Sequence, residues 1–314
     1  MKLRFSVRFN NDIPPRTFAR LAALAEESGF DQVWVSDDLF WHSATVLLAA
    51  AAHATSRIAL GAGVFNPVSM HPSEIAMFAT SMADLTGGRF RLGIGAGADR
   101  FLEWARIKRE PPVARTEKAI SELRALVAGR VPDGWAAEGR MRVPVEAMPI
   151  YLGAMGPAML RLAGRVADGA LPLLFPPRHY RVAAGQIAEG AAAAARDPAS
   201  IDVAACIWCS IDGDPGRARE ALAAKIAYYG PSFSADLLSR SGLRPADFEG
   251  GAVTDAMLAL GVAGGWEDVV AACADLVRDG ARHISFGPPL GPDPEAALQV
   301  LGSQVLPALS RLAE

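Results

Sequence analysis

RIALGAGVFNPVSMHPSEIAMFATSMADLTGGRFRLGIGAG, residues 57–97, reads as strand, glycine-rich turn, helix, strand and a second glycine-rich turn. The two apolar runs, RIALGAGV and RFRLGIGAG, are short and nearly continuous, as strands buried on both faces are. Residues 71–85 between them read as helix. Two parallel strands joined by a helix form the repeating unit of an α/β sheet. The same unit recurs on both sides. LRFSVRF and QVWVSDD flank a helix over residues 14–29, which has proline near its start and Gly29 as its stop. PIYLGAM, ALPLLF, DVAACIWCSI and HISFGP read as strands five to eight, each followed by a helical stretch.

Eight strands separated by helices are what a closed parallel barrel needs. The expected fold class is therefore α/β, a (β/α)8 TIM barrel forming one domain over residues 1–314. Residues 130–148 and 230–265 lack periodicity and read as insertions after strands 4 and 7. An open, doubly wound sheet satisfies the same alternation and stays as the alternative.

Composition narrows the partners. Of 314 residues 51% are hydrophobic, enough for a large core, and the formal net charge of -3 gives no basic field for nucleic acid or an anionic membrane. No apolar run is long enough to span a bilayer. The opening MKLRFSVRFN reads as a charged strand rather than a leader, so a cytoplasmic setting is expected. Cys206, Cys209 and Cys273 are the only cysteines. The C-x-x-C lies in a buried-strand pattern, where residues three apart face opposite ways, so neither a disulfide nor a shared metal is expected.

In a barrel the chemistry gathers where strands end. Three of those ends are dense in glycine: Gly61 to Asn66 and Pro67, Gly95 to Gly97, and Gly153 to Gly156. Glycine lets a flat ligand approach the main chain, and three such ends together favour a large planar or phosphorylated ligand over ordinary turns. Gly156-Pro157 opens a helix directly after a strand, leaving amide donors and a helix dipole suited to phosphate. Asp37 and Asp38 end strand two. One is expected to face the mouth and the other to cap the next segment, with separated pKa values. His42, in the same loop, is a further acid–base candidate. Trp34, Trp41, Phe65, Trp104, Phe175 and Phe286 are candidates for an apolar pocket.

Other chemistries lack their signatures. No G-x-G-x-x-G opens a βαβ unit, and there is no phosphate-binding G-x-x-x-x-G-K-[ST]. The histidines at 42, 53, 71, 179 and 283 show no metal-binding spacing, so no metal site is expected. No G-x-S-x-G elbow is present.

The runs RIALGAGVFNP, HPSEIAMFATSMADLTGGRFRLGIGAG and YLGAMGPAMLRLAGRVADG, in this order and spacing, resemble the bacterial luciferase-like superfamily. Within it, the likeness is to the deazaflavin-dependent branch that includes methylenetetrahydromethanopterin reductase. It covers most of residues 1–180 and fades toward the end. The resemblance implies coenzyme F420 as cofactor, or FMN as in other branches. It implies a bulge with a cis peptide at Gly63–Val64, set against the family motif LGPGVTNP. It further implies cofactor contacts from Asp37, Gly63, Val64, Asn66, Gly95, Gly97, Gly153, Ala154, Gly156 and Pro157. Catalytic roles fall to Asp37, Asp38 and His42. The expected reaction is hydride transfer between deazaflavin C5 and a small-molecule substrate, in a homodimer. Two departures matter: Asp38 stands where relatives have histidine, and Ala98 where the sugar-phosphate dehydrogenases have glutamate. An FMN monooxygenase, a cofactor-binding homologue without catalysis, and a barrel hydrolase or lyase without redox cofactor remain as alternatives.

Overall fold

Nine parallel strands and the helices between them make up the computed structural model, which describes residues 2–174, 176–233, 235–249 and 252–313. The strands are β1 (Arg4–Phe9), β2 (Gln32–Val35), β3 (Ala59–Ala62), β4 (Phe90–Ile94), β5 (Ile150–Gly153), β6 (Gly169–Leu171), β7 (Asp202–Ile211), β8 (Val262–Gly264) and β9 (His283–Leu290). Each of β1 to β6 pairs with the next, β6 pairs with β7, β7 with β9, and β9 with β1. Eight strands thus close a barrel, which excludes the open sheet. The ninth, β8, lies outside the ring, on the β7 edge opposite β9, with Cys209 facing Val262 and Ile211 facing Gly264.

Pro15, Pro72, Pro112, Pro157, Pro215 and Pro294 each open a helix, where the missing N–H is no loss and the ring presets φ. Residues 230–265, expected to be irregular, instead hold short helices at Ala235–Ser239 and Asp255–Leu258 as well as β8. A three-residue strand between glycines is too short to show a period. Residues 130–148 contain no helix or strand, as expected.

Trp34 (β2), Tyr151 (β5), Leu171 (β6) and Ala204 (β7) share one buried cluster. Strands that are not neighbours can meet in this way only inside the ring. Toward the strand starts the interior is polar. Asp202 accepts from the Tyr151 hydroxyl at 2.6 Å, pairs with Arg4 at 2.6 Å and sits 3.1 Å from His283 Nδ1. His283 Nε2 lies 2.8 Å from Ser6 Oγ, which is 2.8 Å from Ser285 Oγ. His283, Ser6 and Ser285 are buried and satisfy one another, as buried polar atoms must, while Asp202 and Arg4 close the cluster toward solvent.

Candidate functional site

The glycine-rich ends of β3, β4 and β5 form one surface, and the side chain that joins them is Val64. The Gly63–Val64 peptide is cis. Val64 lies over both neighbouring strand ends: a Cβ at Gly95 would sit 2.7 Å from its Cγ2, and one at Gly153 would sit 3.0 Å from its Cγ1. Glycine is required there because Val64 occupies the space, a reason invisible to a reading that looked only for ligand approach. Phe65 locks the bulge by accepting from Gly95 N–H at 3.0 Å and donating to the Gly93 carbonyl at 2.9 Å. Asn66 Nδ2 donates to the Ala96 carbonyl at 2.7 Å, beside Gly97 at φ 66°. Gly63, Val64 and Gly153 keep accessible surface, so this shelf opens upward. Ala154 is buried. A Cβ on Gly156 would meet nothing within 4 Å, so the start of helix Pro157–Val166 faces free space.

The acids follow β2, which pairs with β3, and so stand beside the shelf. Asp37 Oδ1 accepts from the Ala44 N–H at 3.1 Å, at the start of helix Ala44–Ala54. Asp38 Oδ2 accepts from the Tyr229 hydroxyl at 2.9 Å and from Ser36 Oγ at 3.3 Å. Asn10 Nδ2 donates to the Tyr229 oxygen at 2.8 Å. Asn11 ties the loop down, donating to the carbonyls of Asp38 at 2.9 Å and His42 at 2.7 Å. Burial pushes both carboxyls above the ordinary range. At Asp37 the Ala44 N–H opposes the shift and the charge of Asp38 adds to it. At Asp38 the Tyr229 and Ser36 hydroxyls and Lys225 oppose it. Burial and Asp38 together hold the Tyr229 hydroxyl far above its usual value, so it stays a donor.

Tyr229 ends helix Pro215–Tyr229, which follows β7 and reaches the rim beside the ends of β1 and β2 through Asn10 and Asp38. Arg100, just past β4, clasps that helix. Its Nη1 donates to the Tyr228 carbonyl at 2.9 Å, and its guanidinium lies 4.6 Å from the Tyr228 ring and 5.0 Å from the Trp104 ring.

The structure therefore brings Asp38, Asp37 and the shelf to one rim. His42 is held there by its backbone alone, and its ring is exposed. The aromatic candidates divide: Trp34, Phe65 and Phe286 are core, whereas Trp41 and Trp104 are 47% and 57% exposed at the rim. Phe175 lies outside the described residues. Cys206 and Cys209 are buried free thiols. Among the described residues no His, Cys, Asp or Glu group is arranged to hold a metal, and no helix is long and apolar enough to cross a membrane.

Sequence reasoning missed Tyr229, Asn10 and Arg8. A charged residue in the middle of an apolar strand, as in FSVRF, was the available signal for Arg8. Nothing local marked Tyr229.

Similarity to known proteins follows this geometry. The chain is 34% identical to 5,10-methylenetetrahydromethanopterin reductase of Methanolobus tindarius, over 97% of this chain and 100% of that one. It is 36% identical to an F420-dependent glucose-6-phosphate dehydrogenase of Beutenbergia cavernae, over 66% of this chain and 68% of the other. The solved structure of coenzyme F420-dependent tetrahydromethanopterin reductase from Methanopyrus kandleri superimposes with a TM-score of 0.87 at 26% identity, covering 98% of this chain and 99% of that one. With the luciferase-like monooxygenase family pattern matching residues 3–283 of a barrel built this way, the chain belongs to that family.

Proposed function

We propose that this chain is a coenzyme F420-dependent oxidoreductase that moves a hydride between the deazaflavin and a small organic substrate. Similarity to the F420-dependent reductases and dehydrogenase above supports the choice of cofactor. The observation that carries the reading is the shelf. Val64, backed by Gly95 and Gly153, presents an accessible backbone edge on the same rim as a half-buried carboxyl–phenol pair. The residues fit the group: the bulge at Gly63–Val64 suits a flat ring, and the open helix start at Gly156–Pro157 suits its phosphate.

A bound deazaflavin supplies a carbon at position 5 that takes or gives a hydride. The protein's own groups do the rest. Asp38 holds or releases the proton that accompanies the hydride, and Tyr229 fixes the orientation of its carboxyl and stays protonated. The last turn of helix Pro215–Tyr229, packed on the pair through Tyr229, limits its contact with water. The absence of histidine at Asp38 and of glutamate at Ala98 supports a substrate different from those of the named relatives. Exposed Val46, Met77 and Leu85, on adjoining helices, support a homodimer through that face.

The test is a titration of the purified protein with F420 and FMN in parallel, followed by absorbance and fluorescence. Tight F420 binding with FMN weaker by about tenfold or more (~1.4 kcal/mol) is expected. Preferential FMN binding would overturn the cofactor assignment.

A further inference from the structure

Arg8 is the group in this mouth that the reading above leaves without a task. It projects from β1 into the ring. Its Nε donates to Ser285 Oγ at 2.9 Å and its Nη2 to the Ala204 carbonyl at 2.8 Å, reaching across to β9 and β7. No carboxylate pairs with it among the described residues; the ionisable group that acts on it is the Cys206 thiol. Its Nη1 makes no hydrogen bond, yet is not among the enclosed orphan atoms, and the residue keeps accessible surface. The strand starts beneath it are filled by the Asp202, His283, Ser6 and Ser285 cluster, which leaves the strand-end side for that surface. Arg8 pairs in register with Trp34, whose cluster packs against Val64. Asn10, two positions further along the same side of the chain and about 7 Å higher, hydrogen-bonds Tyr229. Arg8 therefore lies on the inner wall beside Trp34, whose cluster meets the shelf at Val64, and one step below Asn10, which meets the Asp38–Tyr229 pair.

A guanidinium this deep without a counter-ion is unfavourable for the empty protein. Anchoring to Ser285 and Ala204 uses Nε and Nη2 and does not account for the free Nη1. We infer that Arg8 is an anion-recognition residue, receiving an anionic oxygen of the bound ligand at Nη1. That oxygen has two chemical sources: a carboxylate of the substrate, or the pyrimidine edge of the reduced, negatively charged deazaflavin. The second source rests on the proposed cofactor; the first does not.

Arg8→Met, nearly isosteric and neutral, and Arg8→Lys, which keeps the charge, separate these. For each protein, dissociation constants are measured for oxidised and for reduced F420. Melting is measured with sodium acetate against sodium chloride at equal ionic strength. If the ring is the source, Arg8→Met weakens reduced F420 by about tenfold more than oxidised F420, and Arg8→Lys retains part of the difference. If a substrate carboxylate is the source, both F420 forms bind as in the parent, and the stabilisation by acetate is lost in Arg8→Met alone. Equal F420 affinities together with an unchanged acetate response in a folded Arg8→Met protein overturn the inference. Failure of the parent to bind F420 sinks the cofactor assignment but leaves the acetate comparison decisive for Arg8.

Discussion

Asp38 and Tyr229 show how two side chains set one another's protonation. A carboxyl whose pKa is raised on folding favours the fold only below its unfolded pKa, and that support is lost as pH rises through the folded value. At neutral pH the buried Asp38 therefore weighs against stability. Asp38→Asn should raise the melting temperature while lowering single-turnover hydride transfer about 100- to 10,000-fold. Because the Tyr229 hydroxyl favours the ionised form of Asp38, Tyr229→Phe should move the acid's apparent pKa upward. In the proposed role of Asp38, reduction of substrate needs the protonated carboxyl, so its rate should fall as pH climbs through this pKa, and the limb should lie at higher pH in Tyr229→Phe. A pH–rate profile of parent and variant checks both; coincident profiles would remove Tyr229 from the proton chemistry.

At the level of elements, the shelf depends on a steric bargain between one valine and two glycines. Gly95→Ala places a methyl 2.7 Å from Val64 Cγ2, so the bulge must shift, and F420 affinity should drop by roughly tenfold or more. Val64→Ala removes the colliding methyls, so the double variant should regain much of that loss. Titrations of the four proteins, arranged as a double-mutant cycle, measure the coupling. Helix starts were legible in the sequence because proline announced them. The strand ends were legible because glycine and aspartate punctuate apolar runs. Three features were not. Strand β8 is too short to carry a period. The division of labour between Asp37 and Asp38 is decided by Ala44, seven residues away from Asp37, and by Tyr229, which is 191 residues away from Asp38. The reason for Gly95 and Gly153 lies in the direction of Val64, which only the folded bulge reveals.

Across the whole molecule, closure of the ring joins chain ends that composition alone keeps apart. Asp202 on β7, His283 on β9, Tyr151 on β5 and Arg4 on β1 meet through one carboxylate. Burial alone would raise the pKa of Asp202; His283, the Tyr151 hydroxyl and Arg4 outweigh it and hold the carboxyl well below its usual range. That contribution is full above the unfolded carboxylate pKa and is lost as pH falls through the depressed value. Asp202→Asn should cost about 3 kcal/mol in urea unfolding at neutral pH, with an unchanged denaturant slope, and should flatten the fall in stability on acidification. An unchanged midpoint would show that the cluster contributes no net stability. The Val64 shelf is furnished by turns that precede residue 160, whereas Tyr229, which holds Asp38, comes from chain after residue 210. Under the proposed function, shelf and later segment can consequently drift apart in evolution: a lineage that exchanges the segment carrying Tyr229 inherits the old redox partner and acquires new clientele.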